Sequence, residues 1–170
     1  MVIATNISVD ESNSSAVSSS LLPSGSTNSM GESSAESGSS ASFTSSIGGH
    51  AWIEFINGNE TTTYGTYGNT GDQEFWQDRE KGVEPVVMRM VAIGSEEVKK
   101  INEFNSDPEN VNWSVWYTCA GYACALWNYI TGEDLSASDF AGASTSPSAL
   151  SESIYHANGD SEVGCYSSNP

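Results

Sequence analysis

"GGHAWIEFINGNETTTYGTYG", Gly48–Gly68, is the stretch that decides the fold class. His50–Ile56 and Thr61–Tyr67 are two runs rich in β-branched and aromatic residues, and Asn57-Gly58 between them is a pair that favours a tight hairpin turn. The segment predicts two antiparallel strands. With Asn57-Gly58 as a two-residue turn, His50 falls opposite Gly65 on the partner strand. Further on, "EPVVMRMVAI" (Glu84–Ile93) reads as a third strand. The intervening "NTGDQEFWQDREKG" (Asn69–Gly82) reads as a polar loop in which Phe75 and Trp76 fit one helical turn.

Three helices follow by local rules. Over Gly94–Pro108, Ser95 suits an N-cap, Glu96 and Glu97 suit the positive helix end, Val98, Ile101 and Phe104 or Asn105 share a face, and Pro108 stops the helix. "VNWSVWY" (Val111–Tyr117) is extended and aromatic. "CAGYACALWNYITG" is an apolar helix that opens at Cys119 and stops at Gly132. In "TSPSALSESIYHANG" (Thr145–Gly159), Ser146 is the N-cap, Pro147 the first helical residue and Gly159 the terminator. The expected class is α+β: a small antiparallel sheet with three helices.

The chain is 170 residues, enough for one domain. Residues 1–46 are dominated by Ser with Gly, Ala and Thr. Such a stretch has too little apolar surface to offset the roughly 1–2 kcal/mol per residue needed to order a backbone. It reads as a disordered Ser-rich tail, with the folded domain at 47–170. The formal charge is −17, from 22 acidic and 5 basic residues. This charge repels nucleic-acid phosphate and anionic membrane surfaces, and it suits a basic partner. No run approaches the ~20 apolar residues of a membrane span. The N-terminus, with no Lys or Arg and a very short apolar run, does not read as a secretory signal.

Chemistry is carried by few residues. Cys119 sits where an extended segment becomes a helix, so the positive helix end faces its sulfur and its own N–H is a ready oxyanion donor, with Trp116 or Tyr117 as the second. Cys124 lies inside the helix on another side and reads as a small core residue. Two cysteines at this spacing share neither a tetrahedral metal ion nor a disulfide. Cys165 in the tail is left open as a disulfide partner. No metal or cofactor is implied. A cysteine nucleophile needs a base, and there are two histidines, His50 and His156. His50 opens a strand after Gly48-Gly49 and is the better base, whereas His156 ends a helix where a cation is at home. The group that would orient the imidazole stays open among Thr63, Thr66, Tyr67 and Glu54.

"GGHAWIEF…TTTYGTYG", "YTCAGYACALWNYITGEDL" and "SPSALSESI", in that order, resemble the circularly permuted papain-like cysteine hydrolases. These are the NlpC-like and lecithin–retinol-acyltransferase-like group, and the likeness is strongest to its bacterial toxin and effector branch. The resemblance spans Gly48–Ile154 and implies a permuted papain-like fold, with the Cys119 helix packed across a small antiparallel sheet that carries His50, Cys119 as nucleophile and His50 as general base. It implies a peptidase or amidase working through a thioester on a protein or peptide substrate, delivered into the cytoplasm or periplasm of a target cell and held in check by an immunity or inhibitor protein. Thr118 stands where that family commonly has Asn, and Tyr122 where it has Phe. Two rival readings are a non-enzymatic interaction module on the same fold and an acyltransferase or phospholipase of the lecithin–retinol-acyltransferase type.

Overall fold

A computed structural model of the chain describes residues 1–6, 49–68, 75–139 and 142–167. Strands β1 (Val2–Thr5), β2 (Ala51–Asn57), β3 (Glu60–Thr66), β4 (Phe75–Gln77), β5 (Val87–Met90) and β6 (Val163–Cys165) form one six-stranded sheet in the order β4-β3-β2-β1-β5-β6. All pairings are antiparallel except β5 with β6, so the sheet is mixed rather than antiparallel throughout. Helices α1 (Ser95–Ser106), α2 (Pro108–Val111), α3 (Cys119–Thr131) and α4 (Pro147–Ala157) complete an α+β fold. No helix among the described residues is long and apolar enough to cross a membrane.

The largest correction concerns the N-terminus. Val2–Thr5, expected inside the Ser-rich tail, is a central strand paired with β2 on one side and β5 on the other. Ile3 and Ala4 are fully buried. The Met1 amino group donates to the Val91 carbonyl at 2.9 Å, and burial lowers its pKa. Four residues give too short an apolar run to announce a strand by periodicity, yet a strand between two others can be wholly apolar. Residues 7–46 of the expected tail, with Ile47, lie outside the described residues, as do 69–74 of the expected polar loop.

The hairpin forms, with a slipped turn. Asn57 pairs with Glu60, leaving Gly58-Asn59 as the two-residue turn, and Gly58 takes the positive φ of 62° that such a turn needs at its first central position. The slip moves the register by two residues, so every side chain keeps its face. Part of the expected loop is the edge strand β4, where Phe75 pairs with Thr66 and packs its ring against Tyr122 of α3.

Side-chain alternation gives the sheet two different faces. Ile3, Ala51, Ile53 and Val87 join the main core under α3 and α4. Val2, Ala4 and Trp52 cluster with Met88 and Met90 on the other face. α3 is the central helix, buried along most of its length, with Leu126 and Trp127 fully buried. Gly132 closes it in the left-handed conformation (φ 72°), its N–H on the Asn128 carbonyl. α4 starts as its sequence dictates: the Ser146 hydroxyl accepts from the Ala149 N–H with Pro147 in the first turn. A buried Arg89 ties the far ends together, forked onto Glu133 and bonded to the Ala157 carbonyl and Asn158.

If β1 is part of the core rather than a tail, Ile3→Ala will lower stability by about 2–5 kcal/mol, the usual cost of emptying a core position. Urea unfolding followed by circular dichroism checks this, and deletion of residues 1–6 will leave no cooperative transition.

Candidate active site

His50 sits just before β2, and its backbone is gripped by the first residues of the chain. Its N–H donates to Asn6 Oδ1 at 2.6 Å, and the Asn6 N–H donates to the His50 carbonyl at 3.2 Å. The imidazole is stacked on the Tyr67 ring at 4.4 Å between centroids, as the observed hairpin register brings the two together. The Arg79 guanidinium lies on Tyr67 at 3.9 Å.

His50 Nε2 lies 2.7 Å from Oε1 of Glu80, a carboxylate only 3% exposed. The other oxygen, Oε2, accepts from the Thr63 hydroxyl at 3.0 Å, and the Glu80 N–H donates back to that hydroxyl at 3.3 Å. Glu80 heads a turn that closes with the Val83 N–H on its carbonyl and Gly82 at φ 85°. Gly65 provides the room: a β-carbon there would lie 2.7 Å from Glu80 Oε1 and 3.0 Å from His50 Nε2. The Tyr-Gly of "TTTYGTYG" is thus the seat of the His–Glu pair.

Cys119 is the first residue of α3 and is 6% exposed. With Nε2 committed to Glu80, Nδ1 is the imidazole nitrogen left for the thiol. Burial on its own would lower the His50 pKa. Hydrogen bonding and charge from the Cys119 sulfur, joined by the Glu80 carboxylate, outweigh it and hold His50 at about 9.

The helix start is built to leave donors open. Thr118 is the N-cap, but its hydroxyl bonds the carbonyl and hydroxyl of Thr145 and caps nothing. The first turn bond runs from the Tyr122 N–H to the Thr118 carbonyl, so the leading N–H groups of α3, Cys119's included, face outward as helix N-termini do. The expected second donors are otherwise engaged: the Trp116 and Tyr117 N–H groups both donate to Ser114 Oγ, at 3.3 and 2.9 Å. The Thr118 N–H goes to Thr145 Oγ1 at 2.8 Å. The Tyr122 hydroxyl, one oxygen more than the Phe of the resembled pattern, is satisfied by Asn105 at 3.0 Å.

No family model, curated protein or solved structure matches the chain. The meaning of the site rests on its own geometry.

Of the four residues expected to orient His50, none bonds its ring nitrogens. Thr63 acts one step removed, through Glu80, and Tyr67 supplies the stacked face. Thr66 is fully buried on the helix side, and among the described residues its hydroxyl takes no hydrogen bond. Glu54 points instead into a cavity of about 630 Å³ on the open face, shared with Val2, Ile56, Met88 and Met90 and lined by neither His50 nor Cys119. Glu80 was not legible: in "QDREKG" it looks like one more solvated charge. Cys124 is buried, donates to the Leu135 carbonyl at 3.1 Å, and is pushed up to about 11 by burial. Cys165 is exposed, and all three cysteines are free. His156 is exposed and pairs with Asp160 at 2.8 Å. No cluster that could hold a metal ion occurs among the described residues.

Two outcomes follow for the His–Glu pair. Gly65→Ala, by driving the two side chains apart, will destabilise the fold by roughly 1–3 kcal/mol, as expected for a buried polar group that loses its partner, and will lower the His50 pKa measured by NMR. Because the folded pKa of about 9 lies above the ordinary 6.5, the stabilisation from His50 is complete below about pH 6.5 and is lost as pH rises through 9. Melting temperatures of wild type and His50→Gln will therefore converge between those limits.

Proposed function

We propose that the chain is a cysteine hydrolase, a peptidase or amidase with Cys119 as nucleophile, His50 as general base and acid, and Glu80 as the residue that orients His50. The observation that carries this reading is the bond from His50 Nε2 to the buried Glu80 carboxylate, on an imidazole that also interacts with the cysteine that begins a helix. A nucleophile, a base and an orienting acceptor from three separate parts of the chain form the constellation that acyl transfer requires.

In the mechanism, the Cys119–His50 pair holds one proton, which Glu80 favours on the imidazole. The sulfur attacks the carbonyl carbon of an amide, and the oxygen, now negative, is held by the outward N–H groups at the start of α3. As the tetrahedral adduct collapses, the carbon–nitrogen bond breaks and His50 gives its proton to the departing amine. Water then attacks the thioester with His50 taking its proton. The acid leaves and the thiol is restored.

The Gly-His strand, the Tyr-Gly partner strand and the Cys-bearing helix, in that order, support a permuted papain-like fold of the NlpC-like group. With that resemblance come the proposals of a toxin or effector role, a protein or peptide substrate, and an immunity or inhibitor protein. A net charge of −17 suits a basic inhibitor.

Expression in bacterial cytoplasm and, separately, periplasm tests the reading. Toxicity in one compartment will be abolished by Cys119→Ala and His50→Ala and reduced about 10–100-fold by Glu80→Gln, the usual effect of removing an orienting partner. Cys119→Ala as toxic as wild type would overturn it. With a cleavable substrate in hand, kcat/KM will fall as pH rises through about 9, where His50 loses the proton owed to the leaving group.

A further inference from the structure

The loop before the nucleophile, Trp113–Thr118, is anchored at both ends by rings seated on glycines. A β-carbon on Gly68, the residue after the His50-stacking Tyr67, would meet the Trp113 ring at 2.5 Å. One on Gly121, two residues past Cys119, would meet the Tyr117 ring at 2.8 Å. The loop therefore runs from the His50 side of the site to the Cys119 side.

Between the anchors the backbone is pinned. Ser114 Oγ accepts from the Trp116 and Tyr117 N–H groups, the Ser114 N–H donates to the Tyr117 carbonyl at 2.9 Å, and the Thr145 N–H donates to the Trp116 carbonyl at 3.2 Å. Yet at the crest of this rigid loop Val115 and Trp116 are 64% and 66% exposed. A fixed backbone that presents two adjacent large apolar side chains to solvent is ready to receive an apolar group, because little ordering remains to be done when one binds. Trp116 is three residues from Cys119, so their α-carbons lie no more than about 11 Å apart, within reach of the side chain next to a carbonyl under attack.

We propose that Val115 and Trp116 form the specificity wall of the site and select substrates whose attacked carbonyl belongs to an aromatic or large aliphatic residue. This rests on the hydrolase reading and adds the substrate class to it.

Two chloromethyl ketones test it, one made from N-acetylphenylalanine and one from N-acetylglycine. In both, the Cys119 sulfur bonds to the methylene carbon and chloride departs with the bonding pair, so the two differ only in the benzyl group. Labelling of Cys119 is followed by mass spectrometry. In wild type the phenylalanine probe will react on the order of tenfold faster, the scale of discrimination an apolar pocket achieves. In Trp116→Ala the ratio will fall toward one, and Val115→Ala will lower it less. The ratio is the readout, so any general change in thiol reactivity cancels. Fast, His50-dependent labelling with a ratio near one in wild type, or a ratio unmoved in Trp116→Ala, would overturn the wall and leave the hydrolase standing. Labelling of Cys119 that His50→Ala does not slow would overturn both.

Discussion

A carboxylate that is 97% buried cannot stand alone, and the arrangement of this protein follows from how Glu80 is satisfied. One oxygen takes the Thr63 hydroxyl and the other faces His50, whose proton supplies the countercharge. This demands a glycine at position 65, where any side chain would push into the pair. It demands a turn at 80–83 that brings Glu80 back over the hairpin, and a hairpin register that sets Tyr67 under the imidazole. The same carboxylate biases the imidazole toward its charged form and so fixes what His50 can do for the neighbouring thiol.

The second constraint is the N-terminal strand. β1 lies between the hairpin and β5, and the residue that follows it, Asn6, bonds both the N–H and the carbonyl of His50. The candidate site thus draws on positions 6, 50, 80 and 119, held by one sheet and the helix packed on it. Weakening the centre of the sheet therefore loosens the hold on His50 before it disturbs Cys119 at the start of α3.

Elements with strong local chemistry were readable in the sequence. The start of α3 at Cys119 and its stop at Gly132 follow from an apolar run ended by a left-handed glycine, and Ser146-Pro147 announces α4. The hairpin was readable to within one residue of its turn, and because the slip of register was even, His50 stayed on its proper face. What failed depended on long-range pairing. "VIAT" is a strand only because two other strands flank it, and the parallel placement of β6 beside β5 leaves no mark in either segment. Glu80 was missed for a related reason: nothing local separates a buried carboxylate from the solvated charges around it, and its partners His50 and Thr63, with the room left by Gly65, come from elsewhere in the sequence. The Trp116 and Tyr117 amides were proposed as oxyanion donors from proximity alone, but Ser114 claims them.

The central claim is that His50 and Glu80 make Cys119 reactive despite its burial, and the chain carries its own control. Cys165 is exposed, whereas Cys119 is 6% exposed and interacts with His50. Timed labelling with iodoacetamide at neutral pH, with each cysteine followed by peptide mass spectrometry, compares them in one molecule. The account predicts that Cys119 is labelled ahead of Cys165 in wild type and behind it in His50→Ala. Labelling in the order of exposure, Cys165 first in both proteins and Cys119 unchanged by the loss of His50, would contradict it.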